Sequence, residues 1–405
     1  MTNLFKQPAK FPQHGAALIV LMCGLLLLTG VGVIGGRLAA TLKQQSRNDV
    51  TESLARARQA LVSYAVNYVD NYGHNTRGGV GRLPCPASVP HGSPALRCGT
   101  NAIGFLPSVW NRSGKEIEID HREYFLDQNL WYALSADFRY NPSYNKLNPD
   151  TRGEYLSVND RDDIVAVIIS PGAALPGQSR DNVTFNQSLY LEGDNADFDR
   201  LFEMDHAGND QLVFITLDEL MPLIERRVLG FVRDWLNDYY AAYGHYPFAA
   251  RLGDPLAACE QGLTVGAVSM TRGNCAQEAF GELTGANIPK GRQISQTWFG
   301  NYDWARFIFY QVEPSCTAAS VEPCMGPSPV QPRLTVDGSL AEFLLISTGT
   351  AITSAHLGQM QDRLNHPADL SSYLDTSELI NAGSVFDFSH LTLVHASNDQ
   401  YLVFL

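Results

Sequence analysis

An uncharged run of 21 residues near the N-terminus, from Ala16 to Gly36, restricts the fold of this chain more than any other feature. As an α-helix it measures about 31 Å, which matches the hydrocarbon core of a bilayer. Lys6 and Lys10 precede the run and no acidic residue accompanies them, so the short N-terminal arm is expected to stay in the cytoplasm. We therefore predict one membrane-spanning helix that carries the rest of the chain across the membrane.

A cleaved secretory signal peptide is the alternative reading of this region. Gly30-Val31-Gly32 has the small residues of a cleavage site, but the apolar run continues beyond them. The predicted segments are accordingly a cytoplasmic leader over residues 1–15 and a transmembrane helix over residues 16–36.

The composition predicts a folded, acidic part outside the membrane. A chain of 405 residues with 45% hydrophobic residues buries a sizeable core, and two domains are expected at this length. The net charge is −13, and residues 1–15 hold two of the 29 basic residues, which leaves 27 against 42 acidic ones. Nucleic-acid binding requires clustered Lys and Arg, so this balance argues against a nucleic-acid partner.

The segment after the membrane run has the pattern of an amphipathic helix. Apolar residues recur at steps of three and four, and Gly73 suits the position just past a helix C-terminus. Proline is absent between Pro12 and Pro84, so the membrane helix is expected to continue into this one. The stripe consists of Val50, Leu54, Ala57, Leu61, Ala65, Tyr68 and Tyr72. A juxtamembrane coiled coil is the alternative, but the stripe ends after about four turns instead of continuing as heptads.

The rest of the chain contains an ordered set of internal matches. A capping-box pattern, Thr216 to Glu219, opens a second helical stripe that closes at Tyr243-Gly244-His245, as the first closes at Tyr72-Gly73-His74. The further matched segments are 81–86 with 244–248, 140–143 with 312–315, 168–174 with 345–351, 190–192 with 373–375, and 209–214 with 398–404. We interpret them as two copies of one unit, in domains over residues 37–215 and 216–405.

Within each copy, β-branched and aromatic runs such as Ile164–Ile169 and Phe343–Ile346 predict strands. A long helix followed by several strands, without β-α-β alternation, predicts an α+β fold with an antiparallel sheet.

Six of the seven cysteines follow the apolar run, in the part of the chain that is expected to be translocated across the membrane. Cys23 lies within the apolar run. An even number of translocated cysteines predicts disulfide bonds. Close spacing favours Cys85 with Cys98, Cys259 with Cys275, and Cys316 with Cys324, although the sequence leaves other connectivities open. Zinc is the alternative, but the Cys-x-x-Cys spacing that it favours does not occur.

The junction Phe11-Pro12-Gln13-His14-Gly15-Ala16-Ala17-Leu18-Ile19-Val20 resembles the leader of type IV prepilins and pseudopilins. The resemblance implies that prepilin peptidase cuts between Gly15 and Ala16 and methylates the new N-terminus. It also implies that the apolar helix packs in a filament core, and that each predicted copy is a pilin-like unit with its helix packed on an antiparallel sheet. Val20 departs from the family pattern, which places glutamate there. Some minor subunits of the family resemble this chain in lacking that acid.

No catalytic motif with its structural context occurs in the sequence. Ser143 and Lys146 have a Ser-x-x-Lys spacing, but they lie in a turn rich in Pro and Asn. The acidic segments 194–199 and 159–163 offer oxygen ligands for calcium, but they lack the spacing of an EF-hand, and solvated loops are the preferred interpretation. We expect no enzyme activity, no cofactor and no metal site.

The predicted function is structural. The chain is expected to be a minor pilin-like or pseudopilin-like subunit that assembles, or caps, a type IV pilus or type II secretion filament. The expected partners are other such subunits, the inner-membrane assembly platform, prepilin peptidase and the lipid bilayer. The alternative is a periplasmic binding or scaffold protein that stays anchored in the bacterial inner membrane, and an anchored enzyme ranks third.

Overall fold

The computed structural model describes the chain from residue 47 onward, with gaps. The described residues are 47–72, 78–90, 92–95, 98, 103–108, 129–139, 146–151, 153–178, 180, 185–197, 199–204, 208–254, 257–275, 296–318, 324, 326, 333–336, 338–351, 362–363, 365–366, 369–374, 385–386 and 400–404. The predicted leader and transmembrane helix lie outside them. Among the described residues, no helix combines the length and the apolar character that a membrane crossing requires.

The chain divides into two compact units, residues 1–53 and residues 54–405. In the first unit, the described residues 47–53 are helical. All the strands that the structure describes lie in the second unit.

Three α-helices occur in the described residues. Helix α1 covers residues 47–66, α2 covers Tyr68–Tyr72, and α3 covers Leu217–Tyr243. In the second unit, α1 buries Leu54, Ala57, Leu61 and Ala65, which recur at helical spacing.

A six-stranded sheet is built around the long central strand β4. Its strands are β1 (Ile103–Phe105), β2 (Trp131–Leu134), β3 (Leu156–Val158), β4 (Arg161–Ser170), β5 (Leu201–Phe202) and β6 (Gln211–Thr216). The order is β1-β2-β4-β3-β5, and β6 also pairs with β4. All these pairs are antiparallel except β3 with β5, which is parallel. Strand β4 is buried from Ile164 to Ser170, and this explains its continuous apolar sequence.

The remaining strands form two further sheets. They are β7 (Val265–Ala267), β8 (Ile308–Val312), β9 (Thr335–Val336), β10 (Ser339–Leu340), β11 (Phe343–Ser347), β12 (Val385–Phe386) and β13 (Gln400–Phe404). An antiparallel four-stranded sheet has the order β13-β11-β8-β7. A three-stranded sheet has the order β10-β9-β12, in which β9 and β12 are parallel.

Helix α3 packs against both large sheets. It contacts β4 and β6 of the six-stranded sheet, and β11 and β13 of the four-stranded sheet. Contact with two sheets agrees with a wide apolar surface along this helix. The buried residues of α3 are Leu217, Leu220, Met221, Ile224, Glu225, Val228, Leu229, Phe231, Val232, Trp235, Leu236 and Tyr239.

The predicted fold class is wrong. It placed an N-terminal transmembrane helix before two tandem pilin-like units, each with its helix packed on an antiparallel sheet. The described residues instead form a β-rich α+β structure with three sheets, two of which contain a parallel strand pair. Strands β5 and β12 join their partners through long connections, and the sequence pattern carries no signal for such pairing. The boundary proposed between residues 215 and 216 stays a prediction.

Candidate functional site

The predicted processing site, Gly15 and Ala16, lies outside the described residues. Cleavage there stays a prediction.

The prediction of disulfide bonds is confirmed. The structure joins Cys85 to Cys98, Cys259 to Cys275, and Cys316 to Cys324, with Cα–Cα distances of 5.3, 5.7 and 4.2 Å. These distances lie at or close to the range usual for disulfides. The bonds are therefore short-range covalent ties within separate loops.

The disulfides Cys85–Cys98 and Cys259–Cys275 lie in segments that pair with an edge strand of a large sheet. Cys85 lies next to Ala87, which pairs with Phe105 at the end of β1. Ala250 pairs with both Cys259 and Ala267, the last residue of β7. In each case the disulfide ties down the segment that covers the edge strand of a large sheet.

Glycine permits the close approach at both edges. A Cβ atom on Gly104 would lie 2.6 Å from the carbonyl oxygen of Ala87, and a Cβ on Gly266 would clash with the carbonyl oxygen of Ala250. Real Cβ atoms do not approach oxygen this closely, so each covering segment packs directly on a backbone without a side chain.

The residues that had the spacing of a catalytic Ser-x-x-Lys are placed as follows. Ser143 lies outside the described residues, and the Lys146 amine forms an ion pair with Asp303. This ion pair gives Lys146 a structural contact.

The acidic segment 194–199 has carboxylates that accept hydrogen bonds from backbone amides. Asp199 Oδ1 accepts from the amide of Leu201 at 2.7 Å, and Asp197 Oδ1 accepts from the amide of Asp199 at 3.2 Å. Such bonds are typical of Asx turns. Within the part of the chain that the structure describes, no three His, Cys, Asp or Glu side chains are grouped in a way that suits a metal ion.

A buried polar site around Arg363 was not predicted from the sequence. The Arg363 side chain is 3% exposed, and its guanidinium donates to the carbonyl oxygens of Thr348 at 2.6 Å, Gly349 at 2.9 Å and Ser372 at 3.0 Å. It also donates to Asp150 Oδ1 at 2.8 Å. The planar fork of Arg suits several acceptors in one plane, so this one side chain binds two backbone segments and the side chain of Asp150.

Glu225 of α3 lies close to this site. It is buried, and its Oε2 atom has no hydrogen-bond partner among the described residues. Burial raises the pKa of Glu225 to about 8, while the Ser347 hydroxyl and the Arg363 guanidinium act in the opposite direction. The carboxyl group is therefore mainly protonated at neutral pH. In the sequence, Glu225 follows Ile224 of the apolar stripe, and this was the only signal of its burial.

Further contacts join the part before α3 to the part that begins with it. We call residues 54–216 the first half and residues 217–404 the second half. The buried Arg82 side chain donates to the carbonyl of Arg139 at 3.0 Å and lies 5.0 Å from the ring centre of Tyr302. Asn148 Nδ2 donates to the carbonyl of Tyr302 at 2.8 Å. The first half is thus fastened to the second at buried as well as exposed positions.

No protein-family model matches the chain, and comparison with curated proteins and with solved structures found no match either. Function is therefore inferred from the residues of the chain itself.

Proposed function

We propose that the chain is a non-enzymatic structural subunit of the type IV pilin or pseudopilin kind, anchored in the bacterial inner membrane through residues 16–36. The observation that carries the proposal is the junction at Gly15 and Ala16, where a basic arm without acids meets the uncharged run. The mature chain then begins at methylated Ala16, and prepilin peptidase is its first partner.

The disulfides support a compartment outside the cytoplasm. Disulfide bonds persist in oxidising surroundings such as the bacterial periplasm, and three of them occur in the part of the chain that comes after the apolar run. This agrees with a cytoplasmic leader and a periplasmic remainder.

The proposed partners follow from the same residues. The uncharged run would lie in the bilayer before assembly and would pack among the helices of other subunits after extraction from it. Gly32 and Gly36 permit close helix approach there. The assembly platform of the inner membrane is the remaining proposed partner.

A permanently anchored periplasmic scaffold protein is the second candidate. The observation that favours it is the fold, because the described residues form a β-rich structure with three sheets instead of pilin-like units. A scaffold of this kind needs the membrane anchor and the disulfides but not the processing at Gly15.

Intact-mass analysis of the membrane-extracted full chain separates the two candidates. We expect a mature chain that lacks residues 1–15 and carries one added methyl group, when the protein is produced in a cell that cuts a known prepilin. Gly15→Ala should strongly reduce cutting without affecting membrane insertion, because only the peptidase reads that position.

Gly24→Ala is the matched control, since it makes the same change within the apolar run and away from the junction. Retention of residues 1–15 in the unaltered chain, while the known prepilin is cut, would overturn the filament proposal and favour the anchored scaffold.

A further inference from the structure

Two arginines hold similar loops in the two halves. Arg363 binds the carbonyls of Thr348 and Gly349, which follow β11, and the carbonyl of Ser372 in the 3-10 turn Leu370–Ser372. Its guanidinium carbon lies 5.1 Å from the ring centre of Tyr373. The loop after β11 is therefore closed onto this turn by one guanidinium.

Arg180 has the same arrangement in the first half. It donates to the carbonyl of Gly172, which follows β4, and to the carbonyls of Leu189 and Tyr190 at 3.3 and 2.8 Å. Its guanidinium carbon lies 5.4 Å from the ring centre of Tyr190. The 3-10 turn here is Gln187–Leu189.

The two arginines differ in the side-chain oxygen to which each one donates. Arg180 donates to the uncharged Gln178 Oε1 of its own loop at 2.9 Å, whereas Arg363 donates to the carboxylate of Asp150, which lies 213 residues away in the other half. The Asp150 side chain is 31% exposed and the Arg363 side chain 3%. A charge as buried as that of Arg363 is costly without an opposite charge nearby.

The segment that carries Asp150 is itself docked on the second half. Asn148 binds the carbonyl of Tyr302, and Lys146 pairs with Asp303. Asn148 Oδ1 also accepts from the amide of Asp150 at 2.9 Å, which fixes the backbone at this point. Asp150 therefore reaches Arg363 only while segment 146–151 is docked.

We propose that the Asp150–Arg363 ion pair couples the docking of the first half to the order of the loop after β11. Among the described residues, Asp150 from the first half and Glu225 from α3 are acids that act on the guanidinium. Because Glu225 is mainly protonated at neutral pH, Asp150 supplies the neutralising charge. Undocking of segment 146–151 would remove that charge and weaken the hydrogen bonds of Arg363 to the loop after β11 and to Ser372.

Hydrogen exchange of the full chain, read by mass spectrometry, tests the coupling. Asp150→Asn should increase exchange about tenfold in segments 348–351 and 369–374 of the second half, since the substitution removes the negative charge opposite the buried guanidinium of Arg363. Arg363→Lys should increase exchange in the same segments and, reciprocally, in segment 146–151.

Two matched controls limit the interpretation. Asp303→Asn removes the more exposed ion pair, which joins segment 146–151 to Asp303 and not to Arg363. Because such a pair contributes little to docking, this variant should leave segments 348–351 and 369–374 unchanged. Arg180→Lys should act only on segments 171–178 and 187–191 of the first half. An effect of Asp150→Asn that stays within segment 146–151, or one spread evenly over the whole chain, would overturn the proposal.

Discussion

Buried charged side chains in this protein are satisfied in different ways. The Arg82 and Arg363 side chains donate to backbone carbonyls and lie over aromatic rings, and these contacts stabilise each guanidinium inside the fold. The Ser347 hydroxyl and the Arg363 guanidinium lower the pKa of Glu225, but burial raises it by more. The protonation of a carboxyl in this state changes near neutral pH.

Glu225 should make the protein less stable as the pH rises. Its pKa is about 8 in the folded chain against an ordinary value of 4.5, so the folded state holds a proton that the unfolded state releases between these values. The contribution to stability is therefore fully present below the ordinary pKa and falls as the pH approaches 8. In the unaltered chain, Glu225 should lower the free energy of unfolding by about 2–4 kcal/mol between pH 5 and pH 8. Glu225→Gln should remove this decrease, and urea unfolding at several pH values measures it.

Glu260→Gln is the control for this measurement. Glu260 is an acid whose pKa is lowered by its hydrogen bond with Arg251. Glu260→Gln should therefore leave the decrease of the free energy of unfolding between pH 5 and pH 8 unchanged. Equal slopes in the unaltered chain and in Glu225→Gln would contradict the assignment.

At the scale of the element, α3 begins and ends at residues with clear local signals. Thr216 caps its N-terminus, and the Thr216 hydroxyl oxygen accepts from the amide of Glu219 at 3.2 Å. The Glu219 carboxylate forms an ion pair with Arg58 of α1. Gly244 ends the helix with φ of 75°, and its amide donates to the carbonyl of Tyr240 at 2.7 Å.

The same substitution should have opposite effects at two glycines of α3. Among the described residues, apart from the chain neighbours and the backbone of α3 itself, no atom lies within 4 Å of the position that a Cβ would take on Gly230 or Gly244, so backbone preference controls each outcome. Gly230→Ala lies inside the helix and should raise the free energy of unfolding by about 0.5–1 kcal/mol. Gly244→Ala should lower it by about 1 kcal/mol, because Ala disfavours a positive φ.

Chemical denaturation of the two variants under the same conditions is the measurement. A loss of stability in both variants would show that contacts outside α3, and not its backbone, control these positions.

At the scale of the whole molecule, residues 54–405 form one compact unit whose halves are joined on several sides. Arg227 of α3 pairs with Asp70 of α2 at 2.5 Å, and Arg58 pairs with Glu219. Exposed pairs of this kind contribute little by themselves. The buried contacts of Arg82, Asn148 and Arg363 have the larger effect, since their loss leaves polar groups without partners.

If the chain is a filament subunit, we expect it at low copy number, at a tip or an initiation site. In the family that the leader resembles, an acid at the position of Val20 neutralises the N-terminal charge of an adjacent subunit. A chain with Val20 offers no such acid, and an unpaired charge within an apolar helix bundle is costly. A subunit at the tip tolerates this loss. Quantitative mass spectrometry of sheared filaments should find far fewer copies than of the major subunit.

Loss of the chain should then reduce the number of filaments and leave their length unchanged. A copy number comparable with that of the major subunit would refute this position in the filament.

Features that depend on residues near one another in the chain are visible in the sequence. Thr216 and Gly244 predicted both ends of α3, because caps and left-handed turns act within a few residues. The close spacing of six cysteines predicted the three disulfides that the structure contains. The apolar stripe of α1 was equally visible, since its burial follows the helical period.

Features that join distant segments are visible only in the folded chain. The parallel pairs β3–β5 and β9–β12 connect strands through long loops, and the pilin-like fold class failed at this point. The second sheet against α3 and the contact of Arg363 with Asp150 depend on how the two halves dock. A loop arginine and an aspartate 213 residues apart carry no mutual signal in one sequence, because their attraction acts only after the chain has folded them together.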